Sequence, residues 1–198
     1  MCGITIDESN IPKLKEIGVK DSKLLSEKQR NSLYNQVLQI IEDYRVIMAH
    51  PQEIDDALNS PELNLNKLEA VKSAEIINEL KPEKATLDCP SNNIESYTQY
   101  LSSLLRFKPK ELILEHKADF KYLEVAAASI IAKTIREEEV QKIKDRIGEN
   151  IGSGYPSDPK TKEFIKKNYK KYPEIFRKTW QTYKNLVIEN KQKTLDKF

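Results

Sequence analysis

Apolar positions along the chain fall into short runs and helical stripes separated by polar segments. Residues 4–6 read as the end of a strand. Residues 12–17 suit a short helix closed by Gly18, which can take the left-handed conformation common after a helix C-terminus. Ser26 and Gln29 have capping-box spacing, and Leu33, Val37, Leu38 and Ile41 form the apolar stripe of the helix they open. Residues 45–49 read as a strand, 52–58 as a short helix, and 65–80 as a longer helix with Leu68, Val71, Ile76 and Leu80 inward. A strand over 84–87 ends in Asp88-Cys89-Pro90, and a helix over 94–105 follows. The apolar run 111–114 reads as a buried strand, ending in the ionisable set Glu115, His116, Lys117 and Asp119. Small residues 126–129 then sit inside a helical pattern, where alanine lets a helix lie close to what it covers.

Strands alternating with helices predict an α/β protein with parallel pairing late in the chain. A right-handed crossover makes the strands over 84–87 and 111–114 parallel neighbours. Asp88 and Asp119 then share one edge of the sheet, just past the strands' carboxyl ends, where open sheets commonly place their chemistry. Paired carboxylates without histidine or cysteine partners suit hard cations such as Mg2+ or Mn2+. The plainer alternatives are a solvated charged loop around Asp119 and a turn aspartate before Pro90.

Composition narrows the class. A chain of 198 residues with 32% charged and 38% hydrophobic residues suits one domain with a sizeable core. No apolar run is long enough to cross a membrane, and the amino terminus lacks the basic-then-apolar pattern of a signal peptide. Cys2 and Cys89 lack metal-type spacing and argue for a reducing, cytoplasmic setting. A net charge of +2 does not by itself point to nucleic acid. Its distribution says more: basic residues dominate 160–184, interleaved with Tyr169, Tyr172, Phe176, Trp180 and Tyr183, a mixture that suits a nucleic-acid backbone and its sugars. A pair of amphipathic helices with solvated lysines is the alternative.

Two further motifs carry chemistry. Lys20, Asp21, Ser22 and Lys23 pack two cations, a carboxylate and a hydroxyl into one turn. In residues 151–161, Gly152 and Gly154 permit unusual backbone angles, and Asp158-Pro159 looks like an N-cap and first helical position. Tyr155, an aromatic between turn residues, has no structural explanation in that pattern.

The segments KDSKLLSEKQR, DCPSNN, EHKADFKY with VAAASIIAK, and IGSGYPSDPKT together resemble ribonuclease HII of the archaeal type, in that family's order and across the chain to Trp180. The resemblance implies a ribonuclease H fold: a mixed, roughly five-stranded sheet flanked by helices. It implies a catalytic domain over 1–150 and a helical carboxy-terminal substrate-binding extension over 151–198. It also implies a monomer that cuts the RNA strand of RNA–DNA hybrids, and DNA containing ribonucleotides, with four carboxylates holding two divalent ions, Mg2+ or Mn2+. Asp88 matches the third carboxylate and Asp119 the fourth. Lys20, Asp21, Ser22, Lys23 and Tyr155 match substrate-binding positions.

The family's opening strand ends in Asp-Glu-Ala-Gly-Arg-Gly-Pro, and nothing here matches it. Asp7-Glu8 lacks the glycines and arginine and lies too close to Lys20. Residues 1–6 resemble the family's second strand instead, so the expectation is a sheet without its central strand, and a chain that folds poorly and is inactive by itself. Two other readings stay open at this point: a hybrid-binding module without catalysis, and a fragment without function. Leu123 stands where the family usually has proline, and Phe120 replaces a smaller residue, departures that bear only on loop shape.

Overall fold

In the computed structural model, residues 1–195 are described, with side chains to 188. In chain order the elements are β1 (Cys2–Thr5), α1 (Ile11–Glu16), α2 (Glu27–Leu38), β2 (Asp43–Val46), α3 (Pro51–Asn59), α4 (Leu65–Leu80), β3 (Lys84–Asp88), α5 (Ile94–Leu104), β4 (Glu111–Glu115), α6 (Ala118–Lys121), α7 (Leu123–Ile147), α8 (Pro159–Asn168) and α9 (Gln181–Leu195). They form two compact units, Met1–Met48 with Asn66–Arg136, and Ala49–Leu65 with the chain from Glu137 onward. This division does not follow the expected boundary at residue 150. The early helix α3 and the second half of α7 group with the carboxy-terminal part.

In the first unit β1 and β2 pair antiparallel, Cys2 opposite Val46 and Thr5 opposite Asp43. The strand expected over 45–49 starts two residues earlier, because pairing with β1, not the apolar pattern, selects it; Asp43, Tyr44 and Arg45 are all exposed. α1 ends before Gly18, whose φ is +85°, as its place after a helix demands. The capping box of α2 forms in full: Ser26 Oγ accepts from Gln29 N–H, and the Gln29 side chain accepts from Ser26 N–H. β3 and β4 pair parallel, Lys84 opposite Glu111 and Asp88 opposite Glu115. The described sheet is therefore mixed but has four strands in two ladders, β1–β2 and β3–β4, that do not pair with each other.

Two apolar clusters hold this unit. One packs Leu14, Val19, Leu33 and Val37 against the α7 residues Ala126, Ala127, Ile130 and Ile131. Ala126 and Ala127 are almost fully buried, as expected for a small-residue face that lets a helix approach closely. The other cluster joins Ala70, Ala74 and Ile77 of α4 to Ala85, Tyr97, Leu101 and Leu114. The expected inward stripe of α4 is thus rotated. Leu68 and Ile76 are buried as expected, but Val71 and Leu80 are only half-buried, and alanines take the closest contacts. Asn78 ties the loop after α5, donating to Leu104 O and accepting from the N–H groups of Arg106 and Phe107.

The second unit is organised around aromatic rings. Phe164 is buried and stacks on Tyr172 at 6.2 Å between centroids; it also meets Phe176 at 6.1 Å, and Tyr183 meets Tyr169 edge-on at 5.9 Å. Of the aromatics interleaved with the lysines of 160–184, Tyr169 is buried, while Tyr172, Phe176, Trp180 and Tyr183 are half-buried, so these rings serve packing within the unit and keep part of their surface exposed. Lysines such as Lys167 and Lys171 stay on the surface and pair with Glu163 and Glu149.

Asp55 on α3 pins this unit. Its carboxylate, 3% exposed, accepts from Lys178 N–H (2.8 Å), Thr179 N–H (3.0 Å) and the Thr179 hydroxyl (2.5 Å). Burial alone would raise its pKa, but the Thr179 and Lys178 bonds prevail and hold it below the ordinary value. Asp55→Ala strands two backbone N–H groups and is expected to lower stability by about 1–3 kcal/mol at neutral pH. A carboxylate with a depressed pKa stabilises above its unfolded pKa, and that contribution is lost as pH falls through the folded value. The gap in melting temperature between parent and variant should therefore be full at pH 7 and narrow below about pH 4. A constant gap across that range would mean that the carboxylate charge plays no part.

Candidate active site

The first unit places its carboxylates through one short connection. β4 ends at Glu115 beside Asp88, the last residue of β3. The chain then turns through His116 and Lys117, which adopts a left-handed φ of +58°, and enters α6. That turn aims the Ala118 N–H at Asp88 Oδ1, 3.0 Å away. Asp119 is the next residue, so the predicted pair is assembled at one sheet edge.

Asp119 is 7% exposed. Its Oδ2 accepts from Lys23 Nζ at 3.2 Å, while Oδ1 is buried with no hydrogen-bond partner. A buried carboxylate oxygen without a partner is costly, and native structures almost always satisfy such atoms. A hard cation between Asp88 and Asp119 would satisfy it, so these residues fit one divalent ion. Glu115 does not join them: its two oxygens accept from Lys121 Nζ and Tyr122 Oη, which hold its pKa below the usual value. His116 Nδ1 lies 3.1 Å from Cys89 O. Among the described residues no group of three or more His, Cys, Asp or Glu side chains is arranged to hold a metal. Two ions would need more donors than Asp88 and Asp119 supply.

The Lys20–Lys23 turn packs against this site in an unforeseen way. Asp21 and Ser22 were expected to touch substrate, yet their side chains are 3% and 0% exposed. Asp21 caps the turn by accepting from Lys23 N–H (2.9 Å), and Ser22 Oγ lies 2.7 Å from Ser129 Oγ on α7. Their work is to hold the turn against the helix, leaving Lys20 and Lys23 as its exposed groups. The hydrogen bond to Asp119, with the charges of Asp119, Asp21 and Asp88 beside it, raises the Lys23 pKa against the opposing effect of burial.

Lys133 was missed by the sequence reading. It lies four residues, one helical turn, beyond Ser129. Burial lowers its pKa, and Lys23 and Arg30 lower it further, against the opposing pull of Asp21 and Asp119. The spacing to the small-residue face of α7 was the available signal.

Asp7 and Glu8 lie elsewhere. Asp7 caps its own turn through Ser9 N–H, and Glu8 reaches Lys84, at 4.0 Å. Lys84 begins β3 and Asp88 ends it, about 13 Å apart at strand rise. These two acids therefore stand at the other end of the strand from the aspartate pair.

In the second unit, the loop before α8 is tightly built. Asp158 accepts from Ser153 N–H (2.6 Å) and caps α8 through Lys160 N–H (2.9 Å), bonds that hold its pKa down at about 2. Thr161 Oγ1 donates to Ile151 O and accepts from Gly154 N–H. Gly152 has a φ of +71°, and a Cβ there would lie 2.6 Å from Asp158 Oδ2 and 2.8 Å from the Thr161 backbone nitrogen. The loop that follows presents Tyr155, 41% exposed, between Gly154 and Pro156.

Known proteins resemble this chain in sequence and in fold. The sequence model of the ribonuclease HII family matches residues 1–183. The ribonuclease HII of Pyrococcus furiosus is 41% identical over 204 residues, covering 98% of this chain and 88% of that protein. The crystal structure of the ribonuclease H2 from Pyrococcus horikoshii superimposes with a TM-score of 0.81 at 42% identity, over 93% of this chain and 87% of that one. The ribonuclease HII solved in a PCNA complex from Archaeoglobus fulgidus gives a TM-score of 0.79 at 36% identity, over 93% and 86%. The strand-end aspartate pair, the lysine turn beside it and the glycine-tyrosine loop thus stand in a chain that belongs to the ribonuclease HII family, endoribonucleases of the ribonuclease H type.

Proposed function

We propose that this chain hydrolyses the RNA strand of RNA–DNA hybrids, and cuts at ribonucleotides embedded in duplex DNA, with a divalent cation held at Asp88 and Asp119. The observation that carries this reading is the buried, unpartnered Oδ1 of Asp119 beside Asp88. When bound, Mg2+ or Mn2+ supplies activation of a water and neutralisation of charge on the leaving oxygen.

The remaining work belongs to the chain. Ala118 N–H fixes the Asp88 carboxylate, and Lys23 fixes one oxygen of Asp119, so both acids are oriented before any ligand arrives. Such preorganisation is the main protein contribution to phosphate chemistry. Lys20 and Lys23 supply ammonium groups for the phosphates flanking the cut, and the surface lysines of 160–184 add a salt-dependent hold on the duplex. Tyr155, which matches a substrate-binding position of the family, would stack on the sugar where ribonucleotide meets deoxyribonucleotide, the 2′-hydroxyl marking the target. The Archaeoglobus fulgidus relative was solved with PCNA, and a clamp contact belongs to the same reading.

Asp119→Asn keeps the side chain's shape and removes its charge. It is expected to weaken Mn2+ binding at least tenfold, followed by the resonance of the free ion. Hybrid cleavage should fall by orders of magnitude, about 10² or more, with hybrid affinity within about tenfold of the parent. Equal cleavage by the two proteins would remove Asp119 from the site.

Tyr155→Ala removes a ring that is 41% exposed and leaves the Asp158 and Thr161 bonds of its loop in place. It is expected to weaken cleavage at a single embedded ribonucleotide by about 1–3 kcal/mol, the worth of one stacked ring. Single-turnover rates on that substrate and on a plain hybrid, side by side, measure this. If Tyr155→Ala cuts the embedded ribonucleotide as fast as the parent does, the ring serves only the loop.

A further inference from the structure

The two most exposed large apolar side chains among the described residues are Leu24 and Phe120, at 61% and 60%. Each directly follows one half of the Lys23–Asp119 ion pair, whose Nζ and Oδ2 lie 3.2 Å apart. One bridge at the site therefore joins the two short turns that hold these side chains in solvent. Single exposed apolar residues are ordinary on a protein surface. Here the two greatest exposures fall on either side of one contact to a site carboxylate.

Neither side chain is needed by the core. The turn after Asp21 already delivers a leucine inward, since Leu25 is buried in the cluster with Val37 and Ile131. Phe120 stands outside both apolar clusters of the unit. Its departure from the family's smaller residue was expected to bear only on loop shape. Yet α6 closes through bonds that do not involve the ring, from Phe120 N–H to Lys117 O (3.0 Å) and from Tyr122 N–H to Ala118 O (2.9 Å). Glu115 fixes the end of this turn by accepting from Lys121 Nζ and Tyr122 Oη. A ring on so firm a support has little freedom to lose on binding.

The surroundings select the kind of ligand. Lys20 and Lys23 flank Leu24, and Lys117 and Lys121 flank Phe120; all four are exposed. The acids beside them, Asp21 and Asp119, are buried. Ammonium groups around apolar side chains suit a polyanion that also offers apolar faces. Nucleic acid is such a ligand, with phosphates for the lysines and sugar and base faces for the rest.

We propose that Phe120 and Leu24 contact the hybrid itself, Phe120 packing its ring on a nucleotide next to the cut and Leu24 covering a neighbouring sugar. The inference rests on the hydrolysis reading above and names the uncharged part of the grip. Ammonium–phosphate contacts release counterions and weaken as salt rises. Apolar packing does not, so this pair carries a share of affinity that salt leaves in place.

The test uses the full 198-residue chain and a fluorescein-labelled RNA–DNA hybrid, with affinity read by anisotropy without divalent ions over a range of NaCl concentrations. Phe120→Ala is expected to weaken binding about fivefold or more, and the double variant with Leu24→Ser about tenfold or more. In both, the slope of log Kd against log salt should stay that of the parent, whereas Lys20→Ala should lower it by about one. Phe120→Trp should bind within about twofold of the parent. Melting temperature and Mn2+ affinity should not change in Phe120→Ala, because a ring that merely shaped α6 would move both through Asp119. Cleavage should slow at limiting protein and recover at saturating protein. Unchanged affinity in the double variant would overturn the proposal and give the pair to a protein surface instead; with Mg2+-dependent cleavage intact, the hydrolysis reading survives. A loss of affinity that comes with weaker Mn2+ binding would also overturn it. Weaker hybrid binding by Phe120→Ala, together with equal cleavage by Asp119→Asn and the parent, would defeat the metal reading and leave the contact supported. A parent that does not bind the hybrid would overturn both.

Discussion

One hydrogen bond, from the Ala118 N–H to Asp88 Oδ1, fixes the geometry on which the site depends. It closes the connection between β4 and α6 against the end of β3, so two residues thirty apart in sequence become neighbours. The left-handed backbone at Lys117 makes that closure possible. A bulky residue with φ above zero is uncommon and needs its surroundings to hold it there. Here the Asp88 carboxylate does part of that holding. Asp88 is thus both the wall of the site and the clamp that positions its partner.

What the sequence disclosed follows from this locality. Helix bounds and caps were legible because their causes are near in sequence: Ser26 with Gln29, Asp158 with Pro159, Gly18 after α1. The parallel neighbours β3 and β4 were legible because one helix joins them. The aspartate pair then followed from the handedness rule for crossovers. The roles of Asp21 and Ser22 were not legible. Whether a polar residue in a charged turn faces solvent or helix depends on what lies opposite, here Ser129, over a hundred residues away. The aromatics of 160–184 were ambiguous for the same reason: their spacing among lysines suits a binding surface or a packed face, and the packing of half-buried Tyr172 and Phe176 on Phe164 is visible only in three dimensions.

The electrostatics of the first unit are a balance struck around few groups. Lys23 spends one ammonium contact on Asp119, which leaves that carboxylate half satisfied. Lys133, crowded by Lys23 and Arg30 and partly buried, is correspondingly less ready to hold its proton. Such a constellation sets positive charge beside the aspartate pair and leaves one acid oxygen without a hydrogen-bond partner. In the second unit the opposite strategy holds. Asp158 and Thr161 satisfy the loop's own backbone groups, so the exposed ring of Tyr155 stands on a rigid support.

The sheet links stability to chemistry. Backbone groups at a sheet edge must find partners, and an apolar cavity offers none. The slot between β1 and β3 has such an edge on each side and hydrophobic helices above and below. Its wall ends at Asp88 and Asp119, so whatever orders the slot also stiffens the strand that carries the first of these acids.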